Sequence, residues 1–319
     1  MELPRYVLLD KAVGQTPLQC METWRATEGI DPSIPLTYAG RLDPMASGKL
    51  LVLVGEECKK KDQYLALDKT YEFAVLLGIG SDTHDVLGWL ETTQPLQACP
   101  PLEAALRAAK PSLTTSKGGQ ALAAITTASD EDLPTFLSGT SRPSDPERPE
   151  ERLRGLKEQL EQICQTLTGD VTLPYPHFSS KTVHGKPLHT WTLEGRLDEI
   201  DIPTKQSTIY SLELDTIETL SRADVCSQAR AKIDTIPEVT EDRKILGNDF
   251  RRADIRKDWN DIKHDDSLPT EYSIAHFTCS ASSGTYMRTL AKLLGEQLHP
   301  AMPSLAWSIH RTDIKNTFN

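Results

Sequence analysis

Leu36–Gly48 reads LTYAGRLDPMASG and holds a single acid, Asp43, which precedes a proline and lies between Gly40 and Gly48. The apolar run Leu50–Val54 follows it directly. A carboxylate in such a loop is either a turn former, since Asp before Pro favours Asx geometry and leaves helical backbone, or a poised reactive group. Two other residue types could join it. Tyr71 stands near the start of the alternating segment Lys69–Leu77, and Arg288 follows Ser283-Gly284-Thr285 in the first turn of an apolar-faced helix. Taken singly, one is an ordinary strand tyrosine and the other a helix-surface arginine. Taken together they offer an anion able to attack a sugar carbon or assist its deprotonation, a guanidinium to keep it ionised and aimed, and a phenol with a flat face. Asp82 and Asp85 invite a metal reading, but no third and fourth ligand stand near them, which favours capping and turn roles.

These residues need elements to hold them. Tyr6–Leu9 predicts a strand, and Thr16-Pro17 predicts the N-cap and first position of a helix that Gly29 stops. Glu56–Leu67 reads as a helix with a charged face, Lys69–Leu77 as a strand, and Gly78–Gly88 as a polar turn leading to a short strand at Trp89–Glu91. Leu153, Leu156, Leu160, Ile163 and Leu167 recur at spacings of 3 and 4, the mark of an amphipathic helix. Ser207–Ile217, Tyr272–Thr278 and Ala306–His310 predict further strands, and Tyr286–Leu298 a helix. Residues 97–150, rich in Ala, Ser, Thr, Pro and Gly, read as an insertion that is partly helical and partly flexible. Residues 221–269 read as a second, charged helical insertion, with Leu246, Phe250, Ile255, Trp259 and Ile262 on a narrow apolar stripe. The expectation is an α+β fold: a mixed, largely antiparallel sheet flanked by helices, one catalytic domain over 1–319 with two inserted segments.

Composition narrows the class. At 319 residues, 38% hydrophobic and 25% charged, the chain is globular in character. It offers no long apolar run and no basic leader, so no membrane association and a cytoplasmic location are expected. The six cysteines include no CxxC, which argues for reduced thiols over zinc or disulfides. The net charge of −11 speaks against a polyanionic partner, but its distribution does not. No acid lies between Asp31 and Asp43, between Asp170 and Glu194, or between Glu271 and Glu296; these windows carry Arg41, Lys181, Lys186, Arg288 and Lys292, and the second also holds histidines at 177, 184 and 189. Because salt screens fields beyond about 8–10 Å, such patches can form a local positive groove on an acidic body.

LLDKAVGQTP, YAGRLDPMASG, DKTYEF, GIGSDTHDVLG, FSSKTVHGKPLH and CSASSGTYMRTLAKLLGE occur in this order. Together they resemble the TruB family, the tRNA pseudouridine(55) synthases, over about 200 residues outside the two insertions. The resemblance implies isomerisation of a T-loop uridine in tRNA, with the base flipped into a cleft, no cofactor and no metal, by a monomer. It implies Asp43 as nucleophile, Tyr71 as the stacking and proton-transfer residue, and Arg288 as the partner of Asp43. It further implies substrate contacts from Tyr38, Gly40, Arg41, Asp85, Phe178, Lys181, His184, Ile309 and Arg311. Four positions depart from the pattern. Ala12 replaces a proline, Tyr38 a histidine and His310 an arginine, and Phe178 precedes Lys181 by three residues where the family has four. The expectation is a chain without the additional C-terminal RNA-binding (PUA) domain of many members, with the two insertions as candidates to take over part of its grip. Two other readings compete. One is a binding module that folds tRNA without reacting; the other is a glycoside hydrolase, which needs a second carboxylic acid facing Asp43.

Overall fold

The computed structural model describes residues 3–92, 149–236 and 251–315. Nearly all of the first insertion, together with Leu246 and Phe250, lies outside them. By its contacts the chain divides into two compact units, Met1–Leu96 with Gly155–Asn319, and Gln97–Arg154.

In the larger unit, eight strands among the described residues form one sheet. Seven lie in the order β1 (Tyr6–Lys11), β3 (Ala46–Val54), β12 (Ser304–Ile314), β4 (Lys69–Leu77), β11 (Glu271–Ala281), β10 (Thr204–Ser221) and β7 (Gly169–Pro174). The eighth, β2 (Leu36–Ala39), pairs with β3. Every pairing is antiparallel except β12 with β3, which is parallel over three residues. The sheet is therefore mixed and largely antiparallel, as expected.

Alternation along β4 assigns its two faces. Tyr71, Phe73, Val75 and Leu77 join Leu160, Cys164 and Leu167 of α3 (Pro149–Leu167) and Leu290, Ala291 and Leu294 of α7 (Met287–Leu298). Ala74 and Leu76 face the other way, onto Val225, Cys226, Ala229 and Ile233 of α5 (Arg222–Asp234) and Ile255, Trp259 and Ile262 of α6 (Arg252–His264). The described helices of the charged segment 221–269 thus pack on one face of the central strands, with Ile255, Trp259 and Ile262 of its stripe at the seam. Smaller helices complete the frame. α1 (Pro17–Thr27) begins at a capping box between Thr16 and Gln19. The stretch expected as one helix at 56–67 instead splits into a 3-10 turn, Gly55–Lys60, and α2 (Lys61–Leu65). There Glu57 is turned inward to accept from Arg5 (3.0 Å) and from the Tyr64 hydroxyl (2.6 Å). A two-stranded piece, β5 (Ile79–Ser81) with β6 (Leu90–Thr92), frames the polar turn. A second, β8 (Thr182–Val183) with β9 (Lys186–Pro187), precedes α4 (Leu188–Leu193).

One irregularity matters for the site. Along β4, Ala306 pairs with Val75 and Ser308 with Ala74, so Trp307 is an extra residue, a β-bulge. It turns over the alternation of β12 and sets Arg311 opposite Tyr71 on the same face. Lys232 of α5 pins the bulge, donating to the Trp307 carbonyl (2.7 Å) while its ammonium lies 3.6 Å from the indole centroid. Of the cysteines, Cys20, Cys164, Cys226 and Cys279 are buried free thiols and Cys58 is half-buried. No helix among the described residues is long and apolar enough to cross a membrane.

Candidate active site

Asp43 lies in the loop between β2 and β3, half-exposed, and Oδ2 accepts from Arg288 Nε at 2.7 Å. The two partners differ in setting: the Asp43 side chain is 38% exposed and that of Arg288 only 4%. One side of the carboxylate is therefore fixed by the protein and the other is open. Arg288 starts α7, and it donates in two further directions, Nη1 to the Thr83 carbonyl (2.7 Å) and Nη2 to the Phe178 carbonyl (3.1 Å). Asp85 approaches the same Nε with Oδ2 at 3.9 Å. Burial opposes the charge on Arg288, but Asp43 and then Asp85 offset it, so its pKa lies above the ordinary value.

Arg311 organises the loop from the other side. It is buried and donates from Nη1 to the Gly40 and Lys49 carbonyls (3.2 Å each) and from Nη2 to the Arg41 carbonyl (2.9 Å). These are the two stems of the Asp43 loop, closed by one planar fork. Its Nε donates to the Tyr71 hydroxyl at 3.3 Å, so the phenol and the loop share one anchor. Gly48 is what lets β12 come this close: its φ is +99°, and a Cβ there would collide with the Arg311 backbone.

The expected substrate contacts separate into groups. Arg41 is exposed on the loop, and Gly40 beside it is half-buried. Lys181 is exposed, its ammonium 5.2 Å from the Tyr175 ring centroid, and His184 is exposed at the tip of the β8–β9 hairpin with φ 50°. Phe178 is half-buried under the Arg251 guanidinium. Tyr38 packs toward the cluster of Cys20, Met21, Leu50 and Val52. Asp85, Arg311 and Ile309 are buried. Asp85 is buried, accepting from Thr83 Oγ1 (2.7 Å) and Leu87 N–H (2.9 Å). Burial raises its pKa against the pull of Arg288. Arg311 spends its donors on the loop stems and Tyr71, because the bulge turns it inward. Ile309 packs in the core between Ala46 and Phe73.

Some neighbours were not singled out from sequence. Lys11, at the end of β1, is buried behind the loop and donates to the Ala12 (2.9 Å), Gln15 (2.6 Å) and Pro44 (3.4 Å) carbonyls; burial lowers its pKa to about 8. Tyr286 stands edge-on to Tyr175, centroids 5.8 Å apart, and its pKa is raised by burial and then by Asp43. The DKAVG and GTY stretches were the only signals for either.

Residues 35–117 match the family model described as TruB family pseudouridylate synthase (N terminal domain). Among curated relatives, the tRNA pseudouridine synthase B of Azoarcus sp. (strain BH72) is 38% identical over 208 residues, 65% of this chain and 49% of that protein. The protein of the same name from Aromatoleum aromaticum is 34% identical over 212 residues, covering 66% and 49%. That of Bifidobacterium longum (strain DJO10A) is 25% identical over 294 residues, covering 92% and 58%. The chain spans about half the length of the curated relatives it matches. Among solved structures, a Cbf5-Nop10-Gar1 complex aligns at 11% identity and a TM-score of 0.42, over 97% of this chain and 48% of the other.

Proposed function

We propose that this chain acts as the TruB family pseudouridylate synthases it resembles, converting uridine to pseudouridine in tRNA, with the T-loop uridine at position 55 as its target. The reaction breaks the C1′–N1 bond, turns the uracil over and joins C5 to C1′; C5 loses a proton and N1 gains one. It is redox-neutral, so the reading needs no cofactor or metal. With it go a cytoplasmic location and a monomeric state.

The Asp43–Arg288 contact carries the reading. A carboxylate held on one oxygen by a buried arginine and open on the other can attack C1′ or assist its deprotonation, and the guanidinium fixes its direction. Tyr71, held at its hydroxyl by Arg311, offers a flat face to the uracil and an oxygen for the C5 proton. A base inside a folded T-arm reaches Asp43 only by leaving its stack, so base flipping is part of the proposal. Exposed Arg41, Lys181 and His184 suit contacts to the RNA backbone and shape.

The test is unmodified tRNA transcript carrying tritium at C5 of uridine. The wild-type protein is expected to release tritium and yield pseudouridine at the T-loop, and Asp43→Asn to release none while still folded. Tritium release by both would remove Asp43 from the chemistry; binding without release by the wild type would leave a tRNA-folding module. The glycoside hydrolase reading finds no acid in Asp85, which is buried on the same arginine.

A further inference from the structure

Arg251 introduces α6 from within the second inserted segment, and its backbone is left-handed at φ 55° and ψ 26°. A non-glycine residue holds that conformation when its surroundings over-determine it, and such residues gather at functional sites. Its side chain is 12% exposed. Nη1 donates to Asp82 Oδ2 at 2.7 Å and Nη2 to Asp82 Oδ1 at 3.1 Å, a two-pronged pair. The guanidinium carbon lies 4.3 Å from the Trp89 ring centroid and 4.8 Å from that of Phe178.

These partners are the ones next to Arg288. Its two carbonyl acceptors belong to Thr83, which follows Asp82, and to Phe178 itself. Asp82 is locked to its own turn, its N–H donating to the Trp89 carbonyl (3.2 Å) and its Oδ1 accepting from the Trp89 N–H (2.9 Å). Two more bonds tie α6 to the turn: Trp259 Nε1 donates to the Val86 carbonyl (3.3 Å), and Asp258 Oδ2 accepts from Leu90 N–H (3.4 Å). Two arginines thus grip the same two segments, Arg288 by their carbonyls and Arg251 by their side chains.

We infer that Arg251 is a positioning residue for the reacting pair: the inserted helical segment supplies the clamp that holds the Thr83 and Phe178 carbonyls, and through them Arg288, in register with Asp43. This rests on the reading of Asp43 and Arg288 given under the proposed function. The insertion then serves the reaction through the rigidity of its arginine's surroundings. A misplacement of Arg288 by a fraction of an ångström would redirect the carboxylate it holds.

The experiment compares wild type with Arg251→Gln, Asp82→Asn and the double variant. It reads kcat and KM on a T-arm stem-loop RNA, thermal melting, and hydrogen exchange of the Arg288 Nε–H by nitrogen-15 NMR. Arg251→Gln is expected to lower kcat by about ten- to a hundredfold with KM within about twofold, and to speed Nε–H exchange. The double variant is expected to be no slower than either single one, since both break one clamp. Should Arg251→Gln fail to fold, Arg251→Gly, which suits the left-handed backbone, takes its place. A rise in KM at constant kcat would make Arg251 an RNA contact and overturn the inference, as would unchanged kcat and exchange with only a lower melting temperature. If the wild type makes no pseudouridine, the functional reading falls, and the exchange rate alone decides whether Arg251 holds Arg288.

Discussion

Arg288 donates to a carboxylate and two carbonyls from a nearly water-free position, which fixes its guanidinium beside the loop. Removing it would leave Asp85 buried without a cation, so it is as much a structural ion as a partner of Asp43. Its field reaches His84, the left-handed residue (φ 60°) between Thr83 and Asp85. His84 is buried with no hydrogen-bond partner on Nδ1, and burial, then Arg288, lowers its pKa to about 3. The consequence for stability has a definite sign. Below about pH 6.5 the unfolded chain protonates this histidine while the folded one does not, so stability falls as pH drops from 6.5 towards 3, by up to about 1.4 kcal/mol per pH unit. Half-buried His177, shifted the same way, adds to it. His84→Asn, which tolerates a positive φ, is expected to flatten that part of the pH profile in urea melts; an unaltered slope would mean the ring is not buried as described.

At the scale of elements, β12 does the most positioning. Its parallel pairing with β3 aligns Arg311 with Gly48, its antiparallel pairing with β4 aligns Arg311 with Tyr71, and the bulge at Trp307 makes both possible on one face. That bulge rests against the helical pair: Lys232 lies over the Trp307 ring, and Trp259 meets it edge-on, centroids 6.4 Å apart. Trp259 is wholly buried between α6 and the sheet. Trp259→Ala is expected to destabilise the fold by about 3–5 kcal/mol, read by equilibrium urea unfolding. A cost under about 1 kcal/mol, the size of a surface change, would show that α6 is not integral to the sheet.

Across the whole molecule, a net charge of −11 would weaken association with RNA, and the acid-free windows localise what opposes it. In the window from Val171 to Leu193, Lys186 is paired with Glu194 (2.6 Å), whereas Lys181 stays exposed. Few phosphate contacts are therefore expected, and a shallow dependence of affinity on salt. Arg41→Ala should lower the slope of log affinity against log salt by about one; an unchanged slope would take Arg41 off the phosphate path. Much of this was legible in order along the chain. Alternation alone delimited Lys69–Leu77, the 3-4 spacing of leucines delimited the core of α3, Thr16-Pro17 marked the start of α1, and motif order singled out Asp43, Tyr71 and Arg288. These are properties of neighbouring residues, set by backbone periodicity and capping, and a linear string carries them. What it could not carry was which side of a strand faces which helix once a residue is inserted. The Trp307 bulge sets Arg311 inward against the stems of the Asp43 loop, and the grip of Arg251 on Asp82, 169 residues away, arises only when α6 packs across the sheet. Such contacts depend on chain closure over long distances, and only the tertiary structure decides them.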